Sequence, residues 1–433
     1  MSENRILEIL QPLYGGSSKT SDANVTLPFV LQKERVEVSA DGKIARLLER
    51  VIERVMPRCP HFQTCGGCQY LMANASFQLD IKRSILSDQL RSAGVSFPVE
   101  IPAHGGEGYG YRNRIRLRVG RVDEELRLGY SVRATTEFLP ITTCPIAAPI
   151  LWTTAEALLA AATQDEYVAF WLSAASEVEL FCNDDLTRIQ VTLLCAPRTK
   201  VRQGSIERCF EAAQKAAPQI AGLAAIASDA RTGPTGRTLA TTGAAGLNYR
   251  VLDETYWISR GGFFQVNRFL LGTLVKLVCE DDGKPHSGAV AWDLYAGVGL
   301  FSRVLARNFA RVVAVEANTT AAADNRVALT KLGAEHQVVG STTLEFLAAA
   351  IVQRERPDLI VLDPPRGGAG VDACELLLRL KADHIVYVSC DPTTLARDLA
   401  VLQREYRVAS LNVVDLFPQT FHLETVVVLE RNR

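Results

Sequence analysis

The chain has 433 residues, of which 48% are hydrophobic and 22% are charged, and its net charge is −1. This balance is typical of a folded protein with two or three domains, and any nucleic-acid binding would need a local basic face. No uncharged apolar run is long enough to cross a bilayer and no secretory signal is present, so we expect a cytoplasmic protein. Ten cysteines in such a chain favour metal binding, catalysis or burial over disulfides.

Residues 1–57 predict a small β domain. Short apolar runs such as 25–31 and 35–39 alternate around turn signals, among them Gly15-Gly16. A β-barrel of this size is typical of OB-like oligonucleotide binders, although many small β domains bind no ligand. Both interpretations stay open from the pattern alone.

A cysteine loop follows the β domain. Cys59, Cys65 and Cys68 have the spacing C-x5-C-x2-C, and glycines at 66–67 let the backbone fold so that several sulfur atoms converge. Cys144, in a turn before a proline, is the natural fourth ligand. Four thiolates hold either one [4Fe–4S] cluster or one zinc ion, and residue chemistry leaves the two open.

Residues 73–260 predict a central α+β domain. Apolar residues at helical spacing over 76–94 predict an amphipathic helix, with Lys82 among its polar positions. Strand-like and Ala-rich helix-like segments alternate over 147–255, and 231–237 is a predicted loop. Three cysteines in this stretch lack ligand spacing and are predicted to pack: Cys182, Cys195 and Cys209.

Strict alternation over residues 110–119 predicts a strand with one basic face. That face carries four arginines: Arg112, Arg114, Arg116 and Arg118. Four guanidinium groups on one face need an anionic partner, and an RNA phosphate track would supply it. The alternative partners are nearby acids: Asp123, Glu124 and Glu125.

Residues 257–267 combine aromatics, glycines and amides, which suits the lip of a binding site. There Phe263 or Phe264 would stack, while Gln265 and Asn267 would form hydrogen bonds. The alternative is a segment that joins two domains through a packed pair of phenylalanines.

A regular α/β pattern begins after residue 285. The strand 289–295 leads into a Gly-rich turn that contains Gly297, and the strand 311–315 ends at Glu316. An acid about 20 residues beyond such glycines is placed to accept ribose hydroxyls. Because Ser302 replaces the third glycine of a dinucleotide fingerprint, S-adenosylmethionine is favoured over NAD.

Two further strand ends carry acids. Residues 357–362 predict a strand that runs into Asp363-Pro-Pro-Arg366, where the prolines make a rigid corner and hold Asp363 in place. Near the C terminus, Glu424 opens the apolar strand 425–429 beside His422 and is a candidate base.

A cysteine lies where a predicted strand gives way to a predicted helix. The β-branched run 385–388 predicts a buried strand, and Pro392 moves Asp391 out of the α region, so the chain turns at Cys390. Ligands of open α/β sheets bind at the carboxyl ends of strands, which suits a reactive residue here. The alternative is a buried structural cysteine.

Neighbouring groups bear on the reactivity of Cys390. Thr393 or Thr394 is the predicted N-cap of the following helix. The amides of that helix N-terminus, together with Arg397, would favour the thiolate, which is the nucleophilic form of cysteine.

These motifs together resemble the S-adenosylmethionine-dependent RNA uracil-5-methyltransferases, and the similarity covers nearly the whole chain. The motifs occur in one order: Phe263-Phe-Gln-Val-Asn267, Asp293-Leu-Tyr-Ala-Gly-Val-Gly299, Asp363-Pro-Pro-Arg366, Val388-Ser-Cys-Asp-Pro-Thr-Thr-Leu-Ala-Arg-Asp398 and Phe417-Pro-Gln-Thr-Phe-His-Leu-Glu424. The sequence departs from the family at Asp391, where the usual residue is Asn, and at Ala296, where it is Cys.

The resemblance implies an α/β protein with a class I, Rossmann-like methyltransferase domain, an N-terminal TRAM (OB-like) β-barrel and a central α+β RNA-binding domain. The expected boundaries are 1–57 for the β domain, 58–72 for the cysteine loop, 73–260 for the central domain and 261–433 for the methyltransferase domain.

The resemblance also implies the chemistry. Cys390 adds to C6 of a uridine, C5 then accepts the methyl group of S-adenosylmethionine, and Glu424 removes the C5 proton. The target base leaves its stack, and an aromatic such as Phe264 or Phe417 supports it. The cofactor-binding positions are Gln265, Tyr295, Glu316 and Asp363, of which Glu316 would hold the ribose.

Cofactor and substrate follow from the same family. The cysteines at 59, 65, 68 and 144 resemble those of the iron–sulfur members, which act mainly on 23S rRNA, so a [4Fe–4S] cluster, a 23S rRNA substrate and a monomer are expected. Three alternatives stay open: a tRNA uracil-5-methyltransferase, an N-methyltransferase that acts on an exocyclic amine without Cys390, and a noncatalytic RNA-binding module.

Overall fold

The computed structural model describes residues 4–228, 236–333 and 335–432. Most of the loop predicted at 231–237 lies outside them. The chain divides into two units, one made of residues 1–108 with 347–433 and the other of residues 109–346. None of the helices within the described ranges is long and apolar enough to span a bilayer.

The part of the chain up to residue 108 contains an N-terminal run of strands followed by a long helix. In chain order its elements are β1 (Arg5–Pro12), β2 (Ser17–Thr20), β3 (Thr26–Pro28), β4 (Arg35–Val38), β5 (Ile44–Glu49), α1 (Ala75–Ser92) and β6 (Ala103–His104).

The middle of the chain alternates strands and helices. Its elements are β7 (Arg114–Val122), β8 (Glu125–Ser131), β9 (Phe138–Pro140), α2 (Pro149–Ala162), α3 (Glu166–Ala174), β10 (Ala175–Cys182), β11 (Ile189–Cys195), α4 (Ser205–Ala216), β12 (Ile220–Ala227), β13 (Thr238–Gly243), β14 (Gly246–Val251), β15 (Glu254–Ser259), α5 (Leu271–Cys279), β16 (Glu280–Asp281), β17 (Lys284–Pro285), β18 (Gly288–Leu294), α6 (Ser302–Leu305), β19 (Phe309–Val315), α7 (Thr319–Leu329), β20 (Gln337–Val339) and α8 (Thr343–Gln353).

The C-terminal part continues the same alternation. Its elements are β21 (Leu359–Leu362), α9 (Val371–Leu380), β22 (His384–Ser389), α10 (Pro392–Leu402), β23 (Tyr406–Val414) and β24 (Glu424–Arg431).

The N-terminal strands form an antiparallel sheet in the order β3-β2-β1-β4-β5. Alternate residues of β1 and β4 point into its small core, which includes Leu7, Ile9, Val36 and Val38. The hydrogen-bonded order ends at β3 and β5, so the predicted barrel is an open, TRAM/OB-like half-barrel in the described residues.

The middle unit contains a mixed sheet with the strand order β13-β12-β11-β10-β7-β8-β9, in which β11 and β12 are parallel and the other neighbours are antiparallel. Helices α2, α3 and α4 pack their apolar residues on it and form its core. The prediction that Cys182, Cys195 and Cys209 pack is confirmed, because all three are buried. The strand predicted around the arginines is confirmed as β7, whose Ile115 and Leu117 face the core.

Parallel strand pairs occur in both units. In the middle unit β18 pairs in parallel with β19, and β19 with β20. In the other unit β21 pairs in parallel with β22, while β24 lies antiparallel between β22 and β23. The strands β21 and β22 are buried apolar runs, as expected for a sheet covered on both faces.

Helix α1 carries a buried ion pair that the sequence did not predict. Asn74 caps this helix, and Lys82, expected on its polar side, is 0% exposed. Its ammonium lies 2.5 Å from Asp415 and also donates to the carbonyl of Phe417 at 3.0 Å. A buried charge is costly unless it is paired, so this pair fixes α1 against the segment after β23.

Replacing Lys82 by Met is expected to lower the free energy of unfolding by about 3–5 kcal/mol, because Asp415 would stay buried without its cation. Urea denaturation measures this change. The control is Lys43→Met: Lys43 pairs with Asp41 at the surface, and its side chain is 83% exposed, so its replacement is expected to change stability by less than about 0.5 kcal/mol. Equal effects of the two variants would contradict the role given to the buried pair.

Candidate active site

The pairing of two strands brings the predicted nucleophile and the predicted base together. Strands β22 and β24 are antiparallel, and their register ends with Ser389 opposite Thr425. The next position along this register sets Cys390 beside Glu424. Because β21 runs parallel to β22, its C-terminal end, followed by Asp363, lies at the same edge of the strands.

The turn that carries the cysteine is shaped by Pro392 and Asp391. Asp391 has an extended backbone (φ −137°, ψ 114°), as predicted from the following proline. Its side chain caps α10 by accepting from the amides of Thr393 at 2.9 Å and Thr394 at 3.1 Å. The predicted threonine cap is therefore wrong, since Asp391 is the N-cap residue.

The surroundings of Cys390 disfavour the thiolate. The residue is half-buried, and this burial, with the carboxylates of Glu424 and Asp363, raises the pKa of its thiol to about 12. The expected thiolate is therefore wrong for the protein without ligands. Carboxylates around a thiol outweigh the amides of one helix terminus.

The arginine near the thiol is Arg366 and not Arg397. The Arg397 side chain pairs with Asp398 at 2.7 Å and donates to the carbonyl of Gly367 at 2.8 Å. Arg366 is the cation that lowers the pKa of Cys390 against the neighbouring carboxylates. Arg366 could have been predicted from the sequence, because it follows Asp363 closely in the Asp-Pro-Pro-Arg motif.

Glu424 is a buried carboxyl group. It is 2% exposed, and burial raises its pKa well above the usual range. The Asp363 carboxylate raises the pKa further, while Arg366 lowers it. Two acids and one thiol thus share a site with one guanidinium, and their protonation states depend on one another.

Aromatic side chains surround this site. Phe421 lies 4.1 Å from His422 between ring centroids, and Phe417 lies 5.7 Å from the same imidazole. His422 is also 3.4 Å from the guanidinium of Arg366. Tyr14, from the N-terminal sheet, completes the group and was not predicted as a site residue.

A second set of predicted residues lies in the middle unit, around the Gly-rich turn. The carboxylate of Glu316 accepts from the amides of Gly297 at 2.8 Å and Asn318 at 2.6 Å. Asp293 is fully buried, accepts a hydrogen bond from Ser302, and burial raises its pKa to about 7. Glu316 thus binds the backbone of the Gly-rich turn, and Asp293 binds Ser302 just after it.

The positions of Tyr295 and Gly297 need unusual backbone geometry. Tyr295 has φ +62° and Gly297 has φ +54°, values that L side chains rarely adopt. A Cβ atom at Gly297 would meet nothing within 4 Å, so there is open space beside the turn. Such strain at a Gly-rich turn is typical of ligand sites.

The structure corrects part of the predicted lip at 257–267. Phe264 is 2% exposed and packs on Tyr249 and Tyr256, so it is not available to stack on a base. Phe263 is 69% exposed, and Gln265 is buried. The side chain of Asn267 accepts from the amides at 269 and 270 and so acts as a backbone cap.

The predicted cluster cysteines are half-buried, unlike the packed cysteines of the core: Cys59, Cys65, Cys68 and Cys144. Within residues 4–228, 236–333 and 335–432, no group of three or more His, Cys, Asp or Glu side chains is arranged to hold a metal ion. The prediction of a [4Fe–4S] cluster therefore has support from the cysteine spacing but none from this geometry.

The arginines of β7 have partners within the protein. Arg114 and Arg116 both pair with Glu179 of β10, at 3.2 and 3.0 Å. Arg118 donates to Ser131 Oγ at 2.9 Å. Arg112 precedes the strand and contacts the hydroxyl of Tyr111. Intramolecular acids thus face part of this row, though not the predicted residues at 123–125, and the RNA contact stays a prediction.

The fold is that of a class I, Rossmann-like methyltransferase. The crystal structure of Pyrococcus abyssi tRNA (uracil-54, C5)-methyltransferase in complex with S-adenosyl-L-homocysteine superposes with a TM-score of 0.72 at 22% sequence identity. The match covers 98% of this chain and 100% of that one. The predicted fold class is confirmed.

Sequence comparison finds RNA methyltransferases that are similar to this chain. Residues 247–432 match the family model described as tRNA (Uracil-5-)-methyltransferase. An uncharacterized RNA methyltransferase of Streptomyces avermitilis is 29% identical over 99% of both chains. The 23S rRNA (uracil(1939)-C(5))-methyltransferase RlmD of Halomonas elongata is 29% identical over 99% of this chain and 90% of its own length. The chain is thus similar over nearly its whole length to RNA uracil-5-methyltransferases, which confirms the resemblance.

The raised pKa of Cys390 has a measurable consequence. At pH 8 we expect iodoacetamide to alkylate Cys390 more slowly than a cysteine in an unfolded peptide by at least about 100-fold, because only the thiolate reacts. Arg366→Ala is expected to slow the reaction further and Asp363→Asn to accelerate it, since these groups lower and raise the pKa, respectively. Mass spectrometry of the peptide that contains Cys390 gives the rates.

The control for Arg366→Ala is Arg404→Ala. Arg404 pairs with Glu375 at the surface with its side chain 60% exposed, and its loss is expected to leave the alkylation rate unchanged. Alkylation of Cys390 at the rate of the unfolded peptide would contradict the electrostatic description of the site.

Proposed function

We propose that this protein transfers a methyl group from S-adenosylmethionine to C5 of a uridine in RNA, with Cys390 as nucleophile and Glu424 as base. The observation that carries the proposal is the β22–β24 register, which sets the thiol beside a buried carboxyl group. The match of residues 247–432 to the tRNA (Uracil-5-)-methyltransferase family model supports the same roles.

The reaction needs a nucleophile because C5 of uracil is too weakly nucleophilic to take a methyl group unaided. The thiol of Cys390 gives its proton to solvent water, and the thiolate sulfur then bonds to C6 while the electrons of the C5–C6 double bond move towards C5, which becomes an enolate carbon. Arg366, the cation beside the thiol, favours the thiolate. S-adenosylmethionine, when bound, supplies the electrophilic methyl group.

The adduct must lose the C5 proton before the cysteine can leave. Glu424 takes that proton, the electrons of the C–H bond restore the C5–C6 double bond, and the C6–sulfur bond breaks. A carboxylate that burial and Asp363 make more basic is better suited to this step than an exposed one. The ring cluster of Phe417, Phe421 and His422 is the surface beside the site on which a flipped base would rest.

The residues present fit S-adenosylmethionine. There is open space beside Gly297, which suits an adenosine. The half-buried carboxylate of Glu316 accepts a hydrogen bond from the Gly297 amide and is suited to bind ribose hydroxyls as well. We propose that Gln265, Tyr295, Glu316 and Asp363 hold the cofactor. The Pyrococcus abyssi enzyme of similar fold binds S-adenosyl-L-homocysteine, which supports this assignment.

The substrate is proposed to be 23S rRNA. Relatives that match over nearly the whole chain include RlmD proteins named for uracil 1939 of 23S rRNA, from Halomonas elongata and from a Shewanella strain. The alternative, tRNA, has the family model and the Pyrococcus abyssi enzyme in its favour. Both RNAs, isolated from cells that lack the protein, are therefore assay substrates.

We expect Cys390→Ala to abolish incorporation of the methyl group into RNA, because no adduct can form. Cys374→Ala, which alters a buried cysteine of α9, is the matched control and is expected to keep most of the activity. Glu424→Gln is expected to accumulate a covalent RNA–protein adduct that survives denaturing gel electrophoresis. Full activity of Cys390→Ala would instead favour an exocyclic-amine N-methyltransferase.

We also propose that Cys59, Cys65, Cys68 and Cys144 bind a [4Fe–4S] cluster, on the basis of their spacing and partial exposure. Protein purified without oxygen is then expected to contain about four iron atoms and four acid-labile sulfides per chain. Cys68→Ser should remove them, while Cys209→Ser should not. One zinc ion per chain, with no iron, would overturn the proposal.

A further inference from the structure

A turn of the N-terminal sheet reaches the backbone of the nucleophile. Tyr14, between β1 and β2, directs its hydroxyl at the carbonyl oxygen of Cys390 at 3.4 Å. The carboxylate of Asp391 lies near the same hydroxyl, and burial together with this carboxylate raises the pKa of Tyr14. Cys390 and Asp391 are consecutive residues of the turn before α10.

The ring of Tyr14 is fixed as well as its hydroxyl. It packs edge-on against Phe421, with 5.3 Å between centroids and an interplanar angle of 83°. Both rings pack on an apolar cluster that includes Tyr70 and Leu423. Since Leu423 directly precedes Glu424, the same cluster supports the segments of the proposed nucleophile and base.

Two glycines make this approach possible. Gly15 and Gly16 follow Tyr14 with φ +102° and +90°, which few residues other than glycine adopt. A Cβ atom at Gly16 would lie 2.6 Å from Cγ of Gln69, too close for the turn to keep its position. Gln69 in turn accepts from the amide of Phe421 at 3.3 Å.

We propose that Tyr14 is a positioning residue for Cys390. Its hydroxyl, carried by the N-terminal sheet, fixes the peptide of the proposed nucleophile so that the thiol is directed at the target uracil. The inference rests on the proposed function for its catalytic meaning. This role would make the N-terminal half-barrel a part of the active site and not only a candidate RNA-binding domain.

Tyr14→Phe is expected to lower kcat for methyl transfer roughly three- to tenfold with KM for RNA unchanged, as for loss of one hydrogen bond that orients a reacting group. The matched control is Tyr70→Phe, because Tyr70 lies in the same cluster and its buried hydroxyl has no hydrogen-bond partner in the described residues. Gly16→Ala displaces the turn without touching the hydroxyl and is expected to lower kcat at least as much.

A second measurement separates positioning from loss of folding. In Tyr14→Phe the turn is less restrained, so we expect iodoacetamide to alkylate Cys390 about threefold faster than in the unaltered protein, since a better solvated thiol has a lower pKa. Alkylation of Cys374, buried in α9 of the same unit, is expected to stay unchanged. Faster alkylation and slower methyl transfer together are the signature of a misdirected nucleophile.

Equal kcat values and equal Cys390 alkylation rates in Tyr14→Phe and Tyr70→Phe would overturn the proposal. Faster alkylation at both Cys390 and Cys374 would also overturn it, because the effect would then be on folding. If the unaltered protein methylates no uridine, the proposed function fails, and the alkylation comparison by itself decides whether Tyr14 restrains Cys390.

Discussion

The antiparallel pairing of β22 with β24 is the interaction on which the rest of the site depends. A parallel neighbour would place its C-terminal end beside Cys390, as β21 does with Asp363. Because β24 runs the other way, its first residue, Glu424, lies there instead. Side chains alternate along a strand, so a slip of one residue would turn Glu424 to the opposite face. The long apolar runs of both strands fix this register by burial.

This arrangement disfavours the thiolate form of Cys390. Burial and two carboxylates keep Cys390 largely protonated, and the same burial keeps Glu424 a weak acid. A thiol in this state resists oxidation and alkylation, which mainly attack the thiolate. Its reactivity therefore depends on what substrate binding does to the local charge and hydration. A thiol that becomes reactive only when RNA is bound suits the proposed reaction, in which the target base must first leave its stack.

The sequence predicted those features that depend on neighbours along the chain. The apolar run at 385–388 became β22, Pro392 set the conformation of Asp391, and alternation identified β7. It failed where the partner is remote. Lys82 was placed on a polar face because its partner, Asp415, is 333 residues away. The guanidinium beside Cys390 was misassigned for the same reason, since periodicity does not report on loops that meet in space.

Such remote contacts converge on the segment 417–424, which leads into the proposed base. Lys82 of α1 binds the carbonyl of Phe417, and the amides of Gln69 and its successor both donate to the carbonyl of Gln419 at 2.9 Å. Gln69 directly follows the last cysteine of the loop at 59–68. Main-chain hydrogen bonds therefore connect the end of the cysteine loop to the backbone segment that leads to Glu424, the proposed base.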